Sequence, residues 1–123
     1  MDSPFRKRLL EAFKQADTNE LIDSVKIRRV RTEALHMIGT TVQLFDRQPA
    51  VQQLIQTAAV TVQGPMATLT FGKTEGKKKA VTLVISMDDQ GPAYRVSGKK
   101  EVNTRTQETA FTALTSELVD HAR

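Results

Sequence analysis

The run AVTLVISM, Ala80 to Met87, is the clearest strand in the chain. Val81, Leu83, Ile85 and Met87 share one side of an extended backbone, and Val84 adds an apolar residue to the other. Asp88-Asp89-Gln90-Gly91-Pro92 follows as a turn. Ala93 to Ser97 then reads as a second strand, with Tyr94 and Val96 on one side. Upstream, Ala67, Leu69 and Phe71 alternate with Met66, Thr68 and Thr70, again at period two, and Gly72 to Lys79 (GKTEGKKK) is a polar loop. The links are too short for crossover helices, so these strands form an antiparallel meander.

Helical spacing flanks the meander on both sides. Ser3 caps a first helix and Pro4 suits its first position, where a missing N–H costs nothing. Phe5, Leu9, Ala12, Phe13 and Ala16 supply its stripe, and Asp17-Thr18-Asn19 ends it or begins another. Residues 1–17 are readable as a semi-independent arm. Val51, Leu54, Ile55 and Ala58, after Pro49, form a second stripe, beyond which Val60-Thr61-Val62 looks extended. Asn103 or Thr104 caps a last helix carrying Ala110, Phe111, Leu114, Leu118 and Ala122, and Thr104 with Gln107 fits a capping box.

Residues 18–45 admit two readings. In one, Asp17 and Glu20 cap a short helix through Ile22, and Val25 to Val30 forms a β-branched strand. Thr32 then caps a helix closed by Gly39, and Thr40 to Phe45 is a short strand. In the rival, one long helix runs from Asn19 to Ile38. The expected architecture is α+β: a meander of three to four strands, with N-terminal helices and a C-terminal helix on one face, in a single domain over residues 1–123.

Composition removes several chemistries. The chain has 123 residues, enough to bury a core without staples. It has no Cys, so disulfides, thiolate metal sites and thiol catalysis are excluded. Its two His, His36 and His121, are separated and lack ligand-like neighbours, so no metal site and no cofactor are expected. No stretch approaches the ~18–20 apolar residues of a membrane span. MDSPFRKRLLEAFKQA lacks the uninterrupted apolar run of a secretory signal, which points to the cytoplasm.

The segment Ala67 to Thr74, ATLTFGKT, meets a loose phosphate-loop pattern. Its four central residues favour a strand, and Glu75-Gly76-Lys77-Lys78-Lys79 is no amphipathic helix that would turn its N-terminus to a phosphate. That reading is rejected. Asp88-Asp89 suits a turn, and Ser3, Ser24, Ser86, Ser97 and Ser116 lack a nucleophile-elbow context. An enzyme would require a pocket built by the fold around Asp88, Asp89 or His36.

Basic clusters remain. The net charge is +4, and the two halves of the chain carry the same balance, so neither terminus is a charged tail. Lys26, Arg28, Arg29 and Arg31 lie within six residues that contain no acid. Lys73, Lys77, Lys78 and Lys79 occupy the polar loop, and Lys99, Lys100 and Arg105 follow the next strand. A meander brings alternate loops to one rim, so the second and third clusters are expected to join and the first to extend them. Aromatics are few: Phe5, Phe13 and Phe111 lie on helix stripes, Phe45 and Phe71 end strands, and Tyr94 is mid-strand. Base stacking is therefore not indicated, and phosphate contact is. The expectation is a small, non-enzymatic, dimeric binding protein that contacts nucleic-acid backbones through these eleven residues. The alternative is an accessory subunit, inhibitor or adaptor whose basic face meets an acidic protein.

Overall fold

The structure, a computed structural model, describes residues 4–19 and 24–123. Its elements run α1 (Pro4–Asn19), α2 (Ser24–Leu44), α3 (Pro49–Gln56), β1 (Ala59–Gln63), β2 (Met66–Phe71), β3 (Val81–Asp88), β4 (Gly91–Ser97), β5 (Glu101–Thr104) and α4 (Gln107–Ala122). The strands form one sheet in the order β1-β2-β3-β4-β5, every neighbour antiparallel. This is the expected α+β meander, with five strands rather than three to four.

Period two decides which face is covered. Ala67, Leu69 and Phe71 of β2, Val81, Leu83 and Ile85 of β3, and Tyr94 and Val96 of β4 are all buried on one face. They meet Phe5, Leu9 and Phe13 of α1, Val51 and Ile55 of α3, and Ala110, Leu114 and Leu118 of α4 in one core. All four helices lie on that side. Thr61, Met66, Thr68, Thr82, Ser86, Arg95 and Asn103 alternate onto the other face, which no element of the described chain covers. Val84 is buried on this open face with no layer above it, hidden by its register neighbours Thr68 and Arg95.

The Val25 to Val30 strand, the Thr32 cap, the Gly39 stop and the Thr40 to Phe45 strand are all replaced by one helix, α2. Ile27, Val30, Ala34, Met37, Ile38 and Thr41 are its buried stripe, at helical spacings of three and four, and Phe45 just past its end continues it. Of the β-branched residues at 25, 27 and 30, Ile27 and Val30 open that stripe, while Val25 is exposed. Gly39 faces open space and merely lowers propensity there. Buried Thr41 is satisfied because its hydroxyl donates to the Met37 carbonyl at 2.7 Å. Phe45 therefore ends a helix, not a strand. The capping box proposed for Asp17 and Glu20 lies outside the described residues.

β5 takes the place of the expected helix cap. Val102 sits opposite Val96, and a tight turn with Gly98 N–H on the Lys100 carbonyl brings it there. The Thr104 hydroxyl does accept a local amide, that of Thr106 at 3.0 Å, but α4 starts later and Thr106 is its N-cap. ATLTFGKT is β2 and its following turn, with no helix behind it.

Candidate basic rim

Hairpin connectivity sorts the charged residues into two ends of the sheet. The β2–β3 loop and the β4–β5 turn lie at the end where β3 begins, and the β3–β4 turn lies at the end where it finishes. Thr82 pairs with Ser97, which sets the roots of the first two connections side by side. Around them Thr74, Lys79, Ala80, Thr82, Ser97, Gly98, Lys99, Lys100 and Glu101 line a shallow concavity of about 630 Å³. Lys79, Lys99 and Lys100 are exposed, and none of their ammonium groups has a hydrogen-bond or ion-pair partner among the described residues. Thr74, Thr82 and Ser97 add hydroxyl side chains to the same lining, the Thr74 hydroxyl accepting the Ala80 N–H at 3.1 Å, and Glu101 is the one carboxylate there.

Both sides of the rim are held by α4. The Glu117 carboxylate accepts the Lys99 backbone N–H at 2.6 Å. A Cβ on Gly98 would lie 1.8 Å from that carboxylate, so the close approach depends on glycine. On the other side Lys78 donates to the carbonyls of His121 and Arg123, placing a cation at the negative end of the α4 dipole. His121 Nε2 lies 3.2 Å from the Lys73 carbonyl, and its ring rests on the backbone of Gly72. Lys78 thus fastens the loop, while Lys73, Lys77 and Lys79 project from it.

The remaining predicted residues lie elsewhere. Lys26, at the start of α2, bonds Asp89 at 3.0 Å in the β3–β4 turn, at the far end of the sheet. Arg28 and Arg31 follow it on the helix, and Arg29 pairs with Glu33 at 3.6 Å. Since 25–30 is helical, no strand carries this cluster to the lysine rim. Arg105 is also at the far end. Its guanidinium grips Asp88 with two bonds, 3.0 and 2.6 Å. The bond from Arg105 and that from the Gln90 amide hold the Asp88 carboxyl at about 2, below the usual carboxylate range. That shift belongs to an exposed ion pair on a turn. His36 borders a small groove of about 190 Å³ with Met37, Thr40, Gln107, Glu108 and Phe111. Among the described residues no three His, Asp or Glu side chains gather as a metal site, and no helix is long and apolar enough to cross a membrane.

Sequence spacing did not reveal the hub joining α2, β4 and α4. Tyr94 Oη donates to Glu33 Oε2 at 3.0 Å, and Gln107 Nε2 donates to the same oxygen. Burial and the adjacent Glu33 charge push the Tyr94 phenol up to about 12. Tyr94 is the only tyrosine and there is no tryptophan, so ultraviolet absorbance reads its ionisation directly. The expected midpoint is near 12 in the folded protein and ~10 in urea. The folded value is the raised one, so this group's contribution to stability is complete below pH ~10 and lost as pH rises towards ~12. Equal midpoints in both states would contradict the buried hub.

No protein family, curated protein or solved structure matches this chain.

Proposed function

We propose that this chain is a small binding protein that docks the phosphate backbone of a nucleic acid on the rim formed by Lys79, Lys99 and Lys100, with Lys73 and Lys77 at its margin. The observation that carries the reading is the gathering, around one concavity, of three lysines whose ammonium groups have no partner among the described residues and three hydroxyl side chains. Exposed lysines beside hydroxyl donors are the groups that neutralise and position phosphates. The described aromatic side chains are buried or half-buried, which leaves no platform for stacking bases. The binding is therefore tolerant of sequence. A ligand of this kind accords with a cytoplasmic protein.

Fluorescence anisotropy with labelled single-stranded DNA, duplex DNA and RNA tests the proposal. Three phosphate contacts on a duplex weaken binding about 40-fold between 50 and 200 mM salt. No binding to any of the three at low salt overturns the reading. If an acidic polypeptide binds and no oligonucleotide does, the rim belongs to an acidic protein partner.

A further inference from the structure

The two edges of the sheet differ in chemistry. β5 is four residues long, carries Glu101, and is bracketed by Lys100 and Arg105. Charge and shortness are the usual protections of an edge against pairing with another strand. β1 has neither. Its sequence, AVTVQ, contains no charge and no proline, and its register with β2 is unbroken.

Backbone parity shows what β1 offers. The Met87 N–H donates to the Pro65 carbonyl, which fixes the odd-numbered residues of this segment as those bonded to β3. The even residues Met66, Thr68 and Thr70 therefore bond β1, through Gln63, Thr61 and Ala59. Gly64, at φ +54°, makes the two-residue turn that this pairing requires. The N–H and C=O groups of Val60 and Val62 are left pointing outward. The edge is closed just before them, because Arg8 donates to the carbonyls of Gln56 and Ala58, both at 2.9 Å. The Gly64-Pro65 turn closes it just after.

This window is self-complementary. Set antiparallel to a copy of itself, Val60 meets Val62 of the other chain and Val62 meets Val60, which satisfies all four outward groups. Thr61 then lies on the two-fold axis opposite its own copy, a favourable cross-strand pair. No like charges oppose each other. We propose that β1 pairs with β1 of a second copy about Thr61, joining two sheets into one of ten strands. The half-buried side chains of Val60 and Val62 become covered, and both open faces lie on the same side.

The chain has no cysteine, so one introduced thiol reports the axis. Thr61 would occupy a non-hydrogen-bonded pair, whose Cα atoms lie ~4.5 Å apart, within disulfide range. Under oxidised glutathione the Thr61→Cys chain is expected to form a covalent dimer at least tenfold faster than Thr70→Cys on the neighbouring strand. Sedimentation of the unaltered chain should show a concentration-dependent dimer. Val62→Pro removes an outward N–H that the single chain does not use, so it should fold and sediment as a monomer. An unaltered chain that remains monomeric at every concentration overturns the proposal, as do equal cross-linking rates at the two positions.

Discussion

Replacing Lys79, Lys99 and Lys100 together by Glu is expected to weaken oligonucleotide binding at low salt by at least about a hundredfold. The three lysines are exposed and their ammonium groups have no partner among the described residues, so the described fold loses no contact of theirs when they go. The binding surface loses three phosphate contacts and gains three repulsive charges beside Glu101. Circular dichroism should therefore be unchanged while anisotropy collapses. Reversing Lys26, Arg28 and Arg31 alters net charge equally but acts at the opposite end of the sheet. Its expected cost is a few-fold, transmitted through long-range potential and screened by salt. If the second triple abolished binding and the first did not, the far end would be the site.

Phe13→Ala is expected to cost about 3–5 kcal/mol of folding stability. Phe13 is 1% exposed and shares one core with Ile27, Ile55 and Leu69, against which half-buried Val60 packs. α1 lies against α2, β1 and α3, so the ring's removal leaves a cavity between layers. For a chain of this size that loss corresponds to a fall in Tm of about 10–20 °C. Urea denaturation gives the value directly. A change below ~0.5 kcal/mol, typical of a surface site, would mean that residues 1–17 are a separable arm after all.

Much of the fold was readable because period two is hard to imitate. The alternation in Met66–Phe71 and Val81–Asp88 names the covered face, and it does so correctly at Ala67, Leu69, Phe71, Leu83 and Ile85. The Asp88 to Gly91 turn even carries the register. Counting back from its closing pair sets Thr82 against Ser97, and that pair roots the lysine rim. α2 was harder. Val25 and Ile27 are spaced as in a strand and Ile27 and Val30 as in a helix, and only the stripe continuing to Met37, Thr41 and Phe45, which leaves Val25 exposed, separates the two readings. β5 was obscured by chemistry of its own: Thr104 and Gln107 look like a capping box, and one apolar residue, Val102, is a faint strand signal. Its omission had a consequence for charge. The five extended steps from Lys100 carry Arg105 about 16 Å away, out of the lysine rim and onto Asp88.

Whether the rim at Lys79, Lys99 and Lys100 is the binding surface is tested most directly by amide chemical shifts during titration with a single-stranded oligonucleotide. The amides of Thr74, Lys79, Ala80, Gly98, Lys99 and Lys100 should move together and saturate with one Kd. Those of Asp88 to Gly91 and of the first turn of α2 should stay in place. Shifts confined to the Asp88 turn and α2, with the lysine rim unmoved, would contradict the account.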